Sequence, residues 1–184
     1  MALSVNRYWL ISLLALPVLG ACSDSQIIDY GEFEIEVPLD WKAVSIQGID
    51  SDVGGLITSE GDTLIYDLGW YTFDPEEEDV EFQYNLVYLE GLKANEEVDI
   101  DSLYKRRIDI KHSYETTEID CFKAKLVMPL DSLGLFTGVF IDSLSVSDGG
   151  VTKFGFYGTD LDKRIQQEFI SAIRSISFKN LCKK

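Results

Sequence analysis

An aromatic group that stands directly before a run of acidic side chains is the part of this sequence best suited to chemistry. Trp70, Tyr71 and Phe73 follow Asp67, and the segment 74–79 then contributes five carboxylates. Aromatic faces and carboxylates both attract cations, so these residues, if exposed, would hold a cationic ligand or a basic peptide. The competing interpretation, which we favour at this point, packs at least two of the rings in the core and leaves the acidic run as a solvated loop.

Three aspartates form a second candidate site. Paired carboxylates can carry acid–base chemistry when their surroundings separate their pKa values, so Asp50 and Asp52 with Asp67 predict a carboxylate-based hydrolase as the alternative function. The segment Asp50–Gly55 also imitates the start of a calcium loop, but Gly54 replaces the third ligand. We therefore expect a strand-entry turn there, with no metal and no cofactor.

The single histidine, His112, lies between Lys111 and Ser113 in a polar stretch. A catalytic triad also needs a presented nucleophile, and the Gly-x-Ser-x-Gly elbow that would present one is missing from the sequence. One histidine without clustered thiols also argues against a zinc site. We expect His112 to be a solvated surface residue and the protein not to be an enzyme.

The start of the chain has the order of an export signal. Arg7 precedes an apolar run from Tyr8 to Val18, and small residues and a cysteine follow. The stretch Tyr8–Ala21 would be only about 21 Å long as a helix, against a bilayer core of about 30 Å. Pro17 also argues against an unbroken membrane span. The run is therefore predicted to be a signal peptide, and an ordinary secretory signal is the alternative to the lipoprotein type.

The residues Leu19-Gly20-Ala21-Cys22 resemble the lipobox of bacterial lipoproteins, in which a leucine and two small residues precede the lipidated cysteine. The resemblance implies removal of residues 1–21, diacylglycerol on the Cys22 sulfur and a further acyl chain on its amine. Two or three chains anchor a protein stably, whereas one chain holds weakly. Ser23 resembles the residue that directs such proteins to the outer membrane. The expectation is an outer-membrane lipoprotein that faces the periplasm or the cell exterior.

The rest of the chain is organised as one unit. Residues 22–32 are predicted to be a lipidated N-terminus and tether, of which Ser23 to Glu32 spans at most about 35 Å. Residues 33–180 have the size of one globular domain with a sizeable core. The formal net charge is −16, from 32 acidic and 16 basic residues. Such a surface repels nucleic acid and favours cationic partners or simple solubility.

Two cysteines remain once Cys22 is assigned to lipid. Cys121 and Cys182 form an even pair in an oxidising compartment, where a disulfide can form and persist. It would close a loop of about 60 residues and add about 4 kcal/mol of stability in the chain-entropy model. Two separate thiols are the alternative, and the sequence leaves both open.

Hydrophobic patterns predict an α+β domain. Phe33–Val37 alternates apolar and acidic residues as a half-buried strand does, and Leu133–Leu144 is apolar on both faces as a central strand is. Leu161–Ile173 repeats apolar residues every fourth position after a capping box at Thr159, which predicts a helix. The remaining predicted elements are strands over 41–46, 115–120, 121–128, 151–157 and 175–178, a hairpin of 53–58 with 63–67, and a helix over 99–108.

Both ends of this domain resemble one family. The start, Phe33 to Trp41, is similar to the opening strand of Mog/PsbP-like domains, and Val151–Tyr157, Leu161–Ile173 and the final Ile173–Phe178 resemble their ending. The resemblance implies a single domain with an antiparallel sheet between helical layers, an α/β/α sandwich. Members mostly bind proteins or small ligands and do not catalyse. We therefore expect a non-catalytic protein that binds a protein, peptide or small ligand.

Overall fold

A computed structural model describes residues 24–79, 112–130, 136–147 and 149–182. The predicted signal peptide 1–21, Cys22, the helix predicted over 99–108 and the start of the strand predicted over 133–144 lie outside these residues.

The described residues form ten strands, one helix of eleven residues and a short helical segment. The strands are β1 (Ser25–Asp29), β2 (Phe33–Pro38), β3 (Lys42–Ser45), β4 (Asp52–Ile57), β5 (Thr63–Gly69), β6 (His112–Ile119), β7 (Phe122–Pro129), β8 (Phe136–Ser147), β9 (Gly150–Thr159) and β10 (Ser177–Phe178). Helix α1 covers Lys163–Ile173. A helical segment also occupies 75–79, where a solvated loop was predicted. The prediction was wrong because Asp74 precedes Pro75 and accepts a hydrogen bond from the Glu76 N–H at 3.0 Å, a helix start with proline in the first turn.

Seven strands form a large antiparallel sheet in the order β3-β4-β5-β9-β8-β7-β6. The predicted hairpin is present, with Gly55 opposite Ile65 in β4 and β5. Strand β8 lies between β7 and β9, which agrees with a sequence that is apolar on both faces. The mainly antiparallel sheet expected from the sequence is thus confirmed.

A smaller sheet, in the order β1-β2-β10, contains a strand where a tether was predicted. Strand β1 pairs with β2 from Ser25 opposite Pro38 to Asp29 opposite Glu34. The prediction of a tether over 22–32 is therefore wrong from Ser25 onward. The five residues of β1 carry too few apolar side chains to predict a strand, and pairing with β2 forms it.

The small sheet and helix α1 cover one face of the large sheet, which we call the inner face. Phe33 of β2 lies at the centre of an aromatic cluster, with ring centroids 5.0 Å from Tyr66 and 5.1 Å from Phe154. Phe169 of α1 packs on Phe156 at 5.1 Å. The layer that the family resemblance predicted as helical therefore combines one helix with three strands.

Helix α1 begins later than the capping box predicted. Asp162 is the N-cap, and its side chain accepts hydrogen bonds from the N–H groups of Arg164 at 2.7 Å and Ile165 at 2.9 Å. Thr159 is instead the last residue of β9, because Asp160 adopts a left-handed conformation with φ of 54° that turns the chain.

A disulfide joins Cys121 and Cys182, with Cα atoms 5.9 Å apart. It ties the end of the chain to the turn between β6 and β7. The same turn holds β10, because the Phe178 N–H donates to Asp120 at 2.9 Å. Of the two alternatives that the sequence left open, the structure contains the bridge.

Candidate functional site

A surface cleft of about 390 Å³ opens where strand β5 ends beside β9. Gly69, the last residue of β5, pairs with Lys153, so the residues after it emerge at the edge of this cleft. The lining residues come from three parts of the chain and are Asp50, Leu68, Gly69, Trp70, Tyr71 and Thr152. We call this the aromatic cleft.

The Trp70 indole is exposed yet held in place. It is 51% exposed and lies against the backbone of the turn between β8 and β9. A Cβ atom at Gly149 would come within 2.9 Å of two carbons of the indole ring, and one at Gly150 within 3.7 Å. Two glycines therefore form a flat seat for one ring face and keep the indole at the surface.

Tyr71 is more exposed still, at 84%. Our preferred expectation that at least two of the three rings pack in the core is therefore wrong for Trp70 and Tyr71. The physical reason lies at Thr72, which is buried and whose hydroxyl is within 3.5 Å of the carbonyl oxygens of Asp67, Gly69 and Lys153. Because this small polar residue fixes the turn, the two large rings before it remain at the surface.

Phe73 belongs to a different cluster. Its ring lies 5.3 Å from Phe136 and 5.8 Å from Tyr157, on the outer face of the large sheet. The Tyr157 hydroxyl also donates to the Phe73 carbonyl at 3.3 Å. Burial raises the pKa of the Tyr157 phenol well above its usual value, with a further contribution from the charge of Asp74. Phe73 therefore secures the acidic segment to the sheet and does not line the aromatic cleft.

Asp67 also lies outside the aromatic cleft. It pairs with Val53 on one side and Gly155 on the other, within the large sheet. Its Oδ1 atom is buried and has no hydrogen-bond partner in the described part of the chain. Of the four residues predicted as one binding site, the structure brings together Trp70 and Tyr71.

The three aspartates of the alternative hydrolase do not converge. Asp67 pairs with Val53, so the two share a face of the sheet, and Asp52, the neighbour of Val53, lies on the opposite face. Asp52 instead accepts a long hydrogen bond of 3.5 Å from Tyr66. Asp50 lines the aromatic cleft. Asp52 and Asp67 therefore do not form a carboxylate pair on one face of the sheet.

His112 is fully buried, which contradicts the prediction of a solvated surface residue. Its Nδ1 lies 2.9 Å from Asp79 Oδ2, and the Tyr114 hydroxyl donates to the same oxygen at 2.8 Å. The error arose because Ser113, the polar neighbour that follows His112, lies on the opposite face of strand β6. Alternation in β6 places His112 and Tyr114 together on the outer face.

Asp50 and the Gly149-Gly150 seat are the site residues that sequence reasoning did not connect to the aromatic group. The sequence predicted Asp50 only as part of the hydrolase and gave the two glycines no role in binding. Paired glycines opposite an exposed ring are a signal of close approach, but it can be recognised only when the strand register is known. Among the described residues, no set of three or more histidine, cysteine or carboxylate side chains is placed to hold a metal ion.

The protein is mainly an antiparallel β-sheet protein with a helix that packs in its core. Its surface carries a cleft of a size suited to ligand binding. The chain is similar in fold to cyanobacterial PsbP (CyanoP) from Synechocystis sp. PCC 6803, known from a solution structure. The TM-score is 0.41 and the identity 12%, over 87% of this chain and 98% of that one. No protein-family model and no curated protein sequence matches the chain. In the described segments, no helix has the length and apolar character needed to cross a membrane.

Proposed function

We propose that this chain is a non-catalytic lipoprotein of the bacterial outer membrane that binds a cationic peptide or protein segment at the aromatic cleft. The observation that carries the binding part is the Trp70 indole, which is 51% exposed and lies against the backbone of Gly149 and Gly150. Such a ring is ready to bind because little side-chain freedom remains to be lost. The proposal includes the helix-flanked sandwich expected from the sequence, with its second helix over 99–108.

The chemistry of the cleft favours a positive ligand. Trp70 and Tyr71 present aromatic faces, and Asp50 adds a carboxylate to the same lining. A cation over an aromatic face gains about 0.5–1 kcal/mol at exposed sites and about 2 kcal/mol when desolvated. The formal net charge of −16 also attracts basic partners over longer distances.

The lipid anchor is supported by the sequence Leu19-Gly20-Ala21-Cys22 after an apolar run. Mass spectrometry of the protein extracted from its own membranes tests this part. We expect a mature N-terminus at Cys22 that carries diacylglycerol and an amide-linked acyl chain. A Cys22→Ser variant should keep its leader or leave the membrane fraction. An unmodified thiol at position 22 of the native protein would falsify the anchor.

Calorimetric titration of the mature domain tests the binding part, with a peptide rich in lysine and arginine set against an acidic peptide of equal length. We expect the basic peptide alone to bind. Trp70→Ala should weaken binding about tenfold, because one cation–π contact contributes about 1–2 kcal/mol. Asp50→Asn should also weaken binding of the basic peptide, and the loss should be larger at low salt than at high salt. The matched control is Ile27→Ala, which truncates an exposed apolar residue of β1. Equal binding of both peptides, or unchanged affinity in Trp70→Ala, contradicts the proposal.

A further inference from the structure

The chain enters the folded domain almost directly after the predicted lipid attachment site. The Asp24 carbonyl already accepts a hydrogen bond from the Leu39 N–H at 3.2 Å, and β1 begins at the next residue. Two residue steps from Asp24 to Cys22 span at most about 7 Å. A tether of up to about 35 Å, as the sequence suggested, is therefore not available. Whichever surface surrounds Asp24 must lie against the membrane once Cys22 carries acyl chains.

That surface contains a fixed apolar residue. Leu39 is 55% exposed, in the turn that follows β2. The Gln26 side chain donates to the carbonyl groups of Pro38 at 3.2 Å, Leu39 at 3.0 Å and Trp41 at 2.8 Å, so the turn is tied to β1. Trp41 is buried beneath the turn. Leu39 is thus presented on a rigid support beside Asp24, which is two residues along the chain from the predicted lipid attachment site.

Further carboxylates lie near Asp24. A cleft of about 410 Å³ beside it is lined by Asp24, Ser25, Glu36, Val37, Pro38, Glu168, Ser171, Ala172 and Ser175. The cleft shares no lining residue with the aromatic cleft. Its three carboxylates repel anionic headgroups and tolerate zwitterionic ones, whose ammonium groups they can approach.

We propose that the surface formed by Asp24, Ser25 and the Pro38–Asp40 turn rests on a zwitterionic lipid bilayer, with Leu39 at the headgroup boundary. We call it the membrane-facing surface. We identify the bilayer as the contact of this surface because the chain between Asp24 and Cys22 is short. It leaves no room for a protein layer between this surface and the acyl chains. The proposal rests on the lipid modification proposed above and adds a fixed orientation of the domain to it.

The test uses the mature chain with a lipid maleimide coupled to the Cys22 thiol, since Cys121 and Cys182 are already joined. The protein is placed in phosphatidylcholine vesicles whose acyl chains carry bromine close to the headgroups, which quenches nearby indoles. Leu39→Trp adds an indole at the membrane-facing surface. Ile65→Trp, at a partly exposed position on the outer face of the large sheet, is the matched control. Each variant is compared with the same chain without the added tryptophan.

We expect the indole added by Leu39→Trp to lose about half of its emission, since side chains at this boundary lie about 5–10 Å deep. The indole added by Ile65→Trp should keep its emission. Replacing part of the phosphatidylcholine with phosphatidylglycerol should reduce the quenching of Leu39→Trp. A long Gly-Ser linker inserted between Ser23 and Asp24 should remove the difference between the two variants.

Equal quenching of the two indoles, or quenching of neither, overturns the orientation. Dimers of the uncoupled domain that shield the Leu39→Trp indole from a soluble quencher would assign this surface to a second copy, which also overturns it. Because the lipid is attached chemically, these outcomes do not depend on whether the cell acylates Cys22. Mass spectrometry of the native protein tests that modification separately.

Discussion

The backbone N–H of Phe136 donates a hydrogen bond to Nε2 of His112 at 3.0 Å, which determines where the histidine proton lies. A backbone amide can only donate, so Nε2 is unprotonated and Nδ1 carries the hydrogen that points at Asp79, 2.9 Å away. His112 therefore links strand β8 to the helical segment 75–79. Both ring nitrogens of His112 are thus paired, one with Asp79 and one with the Phe136 backbone, and these contacts tie the two elements together.

Removal of the His112 ring should therefore destabilise the protein and spare the aromatic cleft. His112→Ala leaves the Phe136 N–H and a buried Asp79 carboxylate without this partner, and we expect a loss of about 3 kcal/mol in the free energy of unfolding. Tyr114→Phe removes only a hydroxyl that donates to Asp79 and should cost about 1 kcal/mol. Urea denaturation of the two variants measures both values. Equal stability of His112→Ala and the parent chain would contradict this role.

The glycine seat gives a second prediction. Gly149→Ala places a methyl group 2.9 Å from the Trp70 ring, too close for both to keep their positions. We expect the indole to shift and the affinity for the basic peptide to fall about as far as in Trp70→Ala, while the midpoint of unfolding changes little. Calorimetry and thermal unfolding measure the two effects.

The control for the seat is Val146→Ala, which truncates an exposed residue of the same hairpin and leaves the glycines unchanged. Its affinity for the basic peptide should match that of the parent chain. A Gly149→Ala protein that binds as well as the parent would mean that the seat does not position the indole for ligand.

The disulfide supplies a third prediction. It closes a loop across 61 residue positions, and its loss should lower the free energy of unfolding by about 4 kcal/mol. The double variant Cys121→Ala, Cys182→Ala tests this by urea denaturation. Reduction of the parent chain should give the same loss, whereas reductant should leave the double variant unchanged. A parent chain that is equally stable with and without reductant would show that the loop closure contributes nothing.

Local patterns in the sequence were sufficient for the elements whose side chains face one core. Alternation predicted β2, and the fourfold spacing of Leu161, Ile165, Phe169 and Ile173 predicted helix α1, because burial of one face leaves a period in the sequence. Strand β1 has no such pattern and exists because β2 offers it a partner. The buried His112 depends on which residues β6 meets on the outer face, and register of this kind cannot be read from one strand.

The aromatic cleft also shows that contacts between strands cannot be read from a single stretch of sequence. The sequence grouped Trp70 and Tyr71 as binding candidates, and both line one cleft, but the sequence could not decide whether the rings were exposed. That outcome depends on Thr72, whose hydroxyl meets three carbonyl oxygens only after β5 and β9 have paired. Hydrogen bonds to strands that are distant in the sequence thus determine that the two rings are exposed, which the residue types alone could not show.

Tyr66 gives a fourth prediction, on stability at high pH. Burial, and then the nearby Asp52 carboxylate, raises the pKa of the Tyr66 phenol from 10.0 to about 12. A raised pKa favours the folded state while the phenol is neutral in both states, so this contribution is complete below pH 10. It is lost as the pH rises from 10 to about 12, because the unfolded chain ionises first. Urea denaturation should show the free energy of unfolding falling across this range.

The matched control for this prediction is Tyr66→Phe, which keeps the ring in the core and removes the ionisable hydroxyl. Its hydrogen bond to Asp52 is long, 3.5 Å, so the variant should fold with little change at neutral pH. Tyr30 and Tyr157 also have raised pKa values and remain in both proteins. Because Tyr66 contributes to the raised pKa of Tyr30, the difference between the two curves reports Tyr66 together with its effect on Tyr30. The fall in stability should be smaller for Tyr66→Phe. Parallel curves would mean that the phenol ionises equally easily in the folded and unfolded chains.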